Sequence, residues 1–82
     1  IPFVAPQGRV SDTWGNVFVA DVAAGLVHVV DATDAVALQI GPDEPLERLL
    51  MGPVAVALGP DQQLAVADRE RRAVLVYRIL YD

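Results

Sequence analysis

The sequence contains no cysteine and no lysine. Without cysteine, disulfide bridges and thiolate metal sites are excluded. The six basic residues are all arginine, against eleven Asp and Glu, and the net charge is −5. Nucleic-acid binding normally needs a basic face that releases counterions from phosphates. The composition therefore predicts no nucleic-acid partner.

Long apolar runs and sequence motifs of known chemistry are also missing. No run approaches the roughly 18 apolar residues of a membrane helix, so we expect no membrane span. There is no glycine-rich phosphate loop, nucleophile elbow or metalloprotease helix. These absences predict no catalytic residue, no metal ligand and no cofactor.

What the chain does have is a surplus of apolar residues. They make up 54% of its 82 residues, against about 45–50% in a typical soluble domain. A chain of this length that folds alone buries only about 60–65% of its unfolded surface. We therefore expect the surplus to be covered by further units of the same fold or by a partner chain, and less readily by lipid.

The sequence repeats itself with an offset of 47 positions, since NVFVAD at 16–21 returns as QLAVAD at 63–68. The same offset relates further pairs: Pro6 and Pro53, Val27 and Val74, Val29 and Val76. A fixed period of about 40–50 residues built from short apolar runs is typical of repeat architectures.

Each repeat predicts short β-strands separated by turn residues. Repeat one, about 6–41, has four, at 7–10, 16–20, 26–30 and 35–40. Repeat two, about 53–82, has three, at 54–58, 63–67 and 73–80. Its outer strand is lacking, unless 79–81 bends to supply it or 1–4 is recruited from this chain or another copy.

A linker at 42–52 separates the repeats. Leu46, Leu49 and Leu50 have helical spacing within it, which is compatible with a short helix. The acidic group Asp43, Glu44 and Glu47 is interpreted as its solvated start, where carboxylates favour the first-turn N–H groups.

Apolar residues run without a break through the central strands, at 17–20 and again at 74–77. Such strands are normally buried on both faces. In a β-propeller each sheet lies between two others, which is the setting these strands need.

The two repeats resemble the NHL repeat of β-propellers, on the apolar-Ala-Asp ending of the second strand and the stretches GLVHVVD and PVAVALGPDQQLAVADRERRAVLVYR. The Asn and Arg that the family usually places after that Asp are replaced by Ala24 and Leu26, and by Arg71 and Ala73. The resemblance implies an all-β fold: residues 1–82 as a single partial propeller domain of two four-stranded antiparallel blades, the second without its outer strand. Because exposed strand edges pair promiscuously, further blades or partner chains are expected to complete it.

The function that the resemblance implies is a non-catalytic protein-interaction or scaffold module, either a component of a larger assembly or part of a longer propeller. The alternative is a fragment of a metal-dependent propeller enzyme similar to lactonases or peptide-amidating lyases. Asp21, His28 and Asp68 are the only candidate ligands for that alternative. Relatives of this repeat are often exported, and the chain does not begin with Met, which together lean towards an extracytoplasmic location.

Two aspartates and one histidine invite a functional interpretation. Asp21 and Asp68 end equivalent strands, and the structural prediction is that each accepts hydrogen bonds from backbone N–H groups of the turn that it opens. His28, the only histidine, is expected to be a strand residue that faces solvent or a neighbouring blade.

The best candidates for partner contact are one arginine-rich turn and one tryptophan. Arg69, Arg71 and Arg72 supply half of the chain's positive charge. Guanidinium groups suit carboxylate and phosphate oxygens. Trp14 is the only tryptophan, and Trp and Arg are enriched in interface hot spots.

Overall fold

The short apolar runs form β-strands in the computed structural model, which describes residues 3–41 and 49–79. The strands are β1 (Pro6–Ser11), β2 (Val17–Asp21), β3 (Leu26–Val30), β4 (Val36–Ile40), β5 (Pro53–Leu58), β6 (Gln63–Asp68) and β7 (Ala73–Arg78). They make one four-stranded sheet, β1-β2-β3-β4, and one three-stranded sheet, β5-β6-β7. All neighbouring strands are antiparallel. The predicted all-β class and the division into four and three strands are thus confirmed for the described residues.

The second sheet repeats the first in its strand register. Pro6 pairs with Asp21 and Pro53 pairs with Asp68, and the register shifts just after each proline. Proline has no N–H to donate to the ladder, so it suits the first residue of a strand. The 47-residue sequence repeat is therefore also a repeat of backbone pairing.

The first turn of each sheet is closed in the same way. The N–H of Asp12 donates to the carbonyl of Asn16, and the N–H of Gly59 donates to the carbonyl of Gln63. Each turn contains a left-handed residue at the equivalent position, Gly15 with φ 87° and Gln62 with φ 61°. Glycine adopts this conformation at no steric cost, whereas a side chain there is strained.

The core lies between the two sheets. The first sheet contributes a core face of Val10, Phe18, Val27, Val29 and Ile40, and the second contributes a core face of Val56, Leu58, Leu64, Val66, Leu75 and Tyr77. Phe18, Val27, Leu64 and Val66 are completely inaccessible to solvent. The two faces in contact are not equivalent in the repeat. The residue 47 positions after Phe18 is Ala65, whose side chain lies on the opposite face of β6 from the core residues Leu64 and Val66.

The opposite side of the second sheet is an apolar surface, here called the outer face, made of Ala55, Ala57, Ala65, Ala67, Val74 and Val76. Val74 is 64% exposed and Val76 is 47% exposed. One face of 74–77 is therefore exposed in the described chain, whereas β2 and β3 are buried on both faces. The physical difference is that one face of the second sheet has no described layer against it.

The linker is described only in part, since residues 42–48 lie outside the described residues. The acidic group Asp43, Glu44 and Glu47 and most of the helical segment fall there. Leu49 and Leu50 belong to neither helix nor strand. Leu50 is buried in the core, where its side chain packs on Gly41.

Both segments suggested for an outer strand of the second sheet have other positions where they are described. The N–H of Ile79 donates to the carbonyl of Gln62 at 2.7 Å, which extends the pairing of β7 with β6. Val4 and Ala5 lie against the first sheet, where they bind Asp21. Residues 1–2 and 80–82 are outside the described residues. In the described ranges, no helix is long and apolar enough to cross a membrane.

The two sheets approach each other closely at Gly8 in β1. A Cβ at this position would lie 2.8 Å from the carbonyl oxygen of Val54 and 3.1 Å from the Cα of Ala55. Both neighbours are backbone atoms, so a side chain here would push the sheets apart.

We predict that Gly8→Ala destabilises the protein by about 1–3 kcal/mol, the usual range for overpacking a close-packed contact. Urea denaturation measures this change. The matched control is Gly59→Ala, whose new Cβ would meet no atom closer than 3.7 Å and should change stability by less than about 0.5 kcal/mol. Equal effects of the two substitutions would contradict this packing.

Candidate functional site

Asp21, at the end of β2, is completely buried. Its carboxylate accepts hydrogen bonds from the N–H groups of Val4 and Ala5, both at 2.8 Å, and of Ala24 at 3.2 Å. Nε2 of His28 lies 3.0 Å from its Oδ2. One side chain therefore ties the segment before β1 to the turn between β2 and β3.

Asp68 makes the equivalent contacts in the second sheet. It accepts from the N–H groups of Met51 at 2.7 Å, Gly52 at 3.0 Å and Arg71 at 3.0 Å. These donors stand 47 positions after Val4, Ala5 and Ala24. It was not predicted from the sequence that N–H groups just before β1 and β5 bind these carboxylates. The 47-residue offset shared by the residues around Pro6 and Pro53 was a signal for this contact.

The pKa of both carboxyl groups is lowered by these contacts. Burial by itself would raise the pKa of Asp21, but hydrogen bonds from Ala5, Val4, His28 and Ala24 outweigh it and lower the pKa from 3.8 to about 2. Burial likewise opposes ionisation of Asp68, and the backbone donors again lower its pKa. Both groups are therefore held as carboxylates at neutral pH.

His28 is buried at 5% exposure. Its Nδ1 lies 3.4 Å from the side-chain nitrogen of Gln39, and the ring of Phe3 packs on it with centroids 4.9 Å apart. With Nε2–H donating to Asp21, Nδ1 is the acceptor for the Gln39 amide. The imidazole is thus part of the packing of the first sheet, and its equivalent in the second sheet is the core residue Leu75.

The three candidate metal ligands are not brought together. Asp21 and His28 are adjacent, but Asp68 belongs to the other sheet and is engaged by its own turn. Within residues 3–41 and 49–79, no group of three or more His, Cys, Asp and Glu residues is placed to hold a metal ion.

The arginine-rich turn joins β6 to β7. Arg69 and Arg72 are exposed, whereas Arg71 is half-buried and donates from Nε to the carbonyl of Leu49. Arg72 has a left-handed backbone with φ 55°, at the position equivalent to Gly25 with φ 71°. Arg71 therefore anchors the linker at Leu49, while Arg69 and Arg72 present their side chains to solvent.

Trp14 lies in the turn between β1 and β2 and is 68% exposed. It lines an open groove of about 380 Å³ together with Ser11, Thr13, Leu58, Gly59 and Gln62. The groove is formed where the first turns of the two sheets meet. The contribution of Leu58, Gly59 and Gln62 was missed from the sequence, although their turn is the repeat equivalent of the one that carries Trp14.

Trp14 and the arginine-rich turn occupy opposite ends of the sheets. In an antiparallel meander, successive turns alternate between the two ends, and the groove places the β5–β6 turn beside Trp14. The β6–β7 turn is then a strand length away, about 20 Å for six residues at ~3.3 Å each. The residues predicted to contact a partner therefore belong to two separate surfaces.

Comparison of the sequence with protein-family models gives no match, and comparison with curated proteins gives none either.

We predict that Asp21 makes stability depend on pH in the acid range. Because its pKa is lower in the folded chain than in the unfolded one, its contribution is present above about pH 4 and is lost as the pH falls towards 2. Asp21→Asn should remove that part of the pH dependence and cost about 1–3 kcal/mol at neutral pH.

Urea midpoints measured from pH 6 to pH 2 test this prediction. Asp61→Asn is the control, since Asp61 is exposed in the β5–β6 turn and its substitution should leave the acid slope unchanged. An Asp21→Asn protein with the wild-type slope would contradict the assignment.

Proposed function

We propose that the chain is a pair of adjacent NHL-like propeller blades that serves as a non-catalytic protein-interaction or scaffold module, completed by further blades or partner chains. The observation that supports this most directly is the apolar outer face of the second sheet, on which Val74 and Val76 are exposed. Its residues are the repeat equivalents of those in the first sheet that the second sheet covers.

The repeat equivalence can be followed residue by residue. Phe18, Ala20, Val27 and Val29 are at most 5% exposed, and the offset of 47 leads to Ala65, Ala67, Val74 and Val76. The side chains stay apolar at all four positions although they are not covered in the second sheet. Large exposed apolar patches typically mark interaction surfaces.

The contact between the sheets is head-to-tail, because one face of the first meets the opposite face of the second. In contacts of this kind each added sheet covers one face of its predecessor and leaves its own opposite face uncovered. They generate rings when the rotation between successive sheets closes. A propeller is the closed form of such a stack. Covering the outer face by another sheet is therefore the completion that the chain's own interface favours.

The test uses the absence of cysteine in the chain. With Val74→Cys introduced into the protein in its natural host, we expect the new thiol to react at least about tenfold more slowly with a soluble maleimide than a thiol introduced by Thr33→Cys in an exposed turn. Coverage by a packed sheet excludes the reagent from position 74.

Labelling rates read by mass spectrometry decide the outcome, with labelling in denaturant as the reference for full reactivity. Equal rates at the two positions in the native protein would contradict the proposal.

The alternative, a fragment of a metal-dependent propeller enzyme, makes a different prediction. A metal that binds the native state raises the melting temperature by mass action. We expect millimolar Ca²⁺ or Zn²⁺ to leave the melting temperature within about 1 °C, because Asp21 and Asp68 already accept several backbone hydrogen bonds. A clear rise that disappears in His28→Leu would favour the enzyme.

A further inference from the structure

The groove beside Trp14 lies within one continuous surface formed by three turns. A Cβ on Gly15 would lie 3.2 Å from the Cβ of Ala32, so the β1–β2 turn touches the β3–β4 turn. On its other side the β1–β2 turn meets Leu58, Gly59 and Gln62 across the groove. We call this surface the turn end.

Acidic side chains dominate the charge of the turn end. Its described charged residues are Asp12, Asp31, Asp34, Asp61 and Arg78. The opposite end has the exposed Arg69, Glu70 and Arg72, the half-buried Arg71, and the buried carboxylates of Asp21 and Asp68. Among the described residues, negative charge is therefore in excess at the turn end, whereas the opposite end holds as many arginines as carboxylates.

The acidic residues have two different roles. Asp12 and Asp31 accept hydrogen bonds from the backbone of their own turns. Asp34 and Asp61 are exposed and have left-handed backbones, with φ 65° and 58°. Strained positions of this kind cost stability, and asparagine adopts them as readily as aspartate.

Asp12 lines the groove together with the exposed Trp14, and Asp34 and Asp61 lie in the two adjoining turns. An exposed indole on an acidic surface of this kind fits a cationic side chain. Trp is the best of the aromatic partners for a guanidinium or ammonium group, and carboxylates add charge-assisted hydrogen bonds to arginine. A groove of about 380 Å³ falls within the range of small binding clefts, about 300–1,000 Å³. Charge complementarity selects the occupant.

We propose that the turn end binds an arginine-containing segment of a partner protein, with a guanidinium over the Trp14 indole and with Asp34 and Asp61 providing the attraction. This inference rests on the proposed interaction function and names the chemistry of one partner. It assigns recognition to the Trp14 end, with the arginine-rich turn playing no part in it.

The fluorescence of Trp14 reports binding directly, because it is the only tryptophan. The probe is an acetylated, amidated peptide Gly-Arg-Gly-Arg-Gly, and its matched control replaces both arginines with citrulline, which keeps the shape and removes the charge. We expect a saturable change in emission with the arginine peptide alone, weakened as the ionic strength rises.

Asp34→Asn with Asp61→Asn should weaken binding about three- to tenfold, since each exposed pair contributes modestly. These substitutions keep the left-handed turns, so the variant should fold with an unchanged melting temperature. Glu70→Gln, at the opposite end, is the control and should bind as the wild type does.

Three results would overturn the proposal: no saturable change up to millimolar peptide, equal binding of the citrulline peptide, or full affinity in the double Asn variant. A fourth result would overturn it as well. If the peptide binds only when Arg69→Gln and Arg72→Gln are present, then the groove is filled by the arginine-rich turn of a second copy and not by a partner protein. Failure here leaves the protection of a thiol at position 74 unaffected, so the two proposals fail separately.

Discussion

The buried carboxylate at the end of the second strand is the interaction on which each sheet depends. Asp21 and Asp68 are the only buried acids in the described residues, and each satisfies three backbone N–H groups from two separate stretches of chain. An ionised group can be buried only when it is well hydrogen-bonded. The carboxylate therefore fixes where the chain enters a sheet and how it turns within it. The same backbone hydrogen bonds lower the pKa of both carboxyl groups.

The two sheets share the same register, yet they meet through non-equivalent faces, one face of the first against the opposite face of the second. Gly8 allows the backbones of β1 and β5 to approach closely there. The equivalent of Gly8 is Ala55. A further sheet packed on the outer face would meet the Ala55 methyl group at the position where β5 meets Gly8, which has no side chain. It would therefore have to pack at a slightly greater distance.

Much of the architecture was predictable, because the local signals agree with one another. The strands at 16–20 and 26–30 are apolar runs bounded by turn residues, and they lie within one residue of β2 and β3. The exposure of Val74 and Val76 was not predictable, since an apolar run shows that a face can be covered but not whether a layer lies against it. Likewise, the spacing of Leu46, Leu49 and Leu50 suggested a helix; Leu46 lies outside the described residues, while Leu49 and Leu50 belong to neither helix nor strand and Leu50 packs in the core.

The sequence by itself determined the all-β class, the 47-residue period and the turn positions, because these depend on periodicity and on residues with strong local preferences. Only the tertiary structure decided which distant groups meet. It paired His28 with Asp21, tied Arg71 to the carbonyl of Leu49, and placed Trp14 and the arginine-rich turn at opposite ends. Such juxtapositions depend on how strands alternate in direction and how sheets stack, and neither is encoded in the neighbours of a residue along the chain.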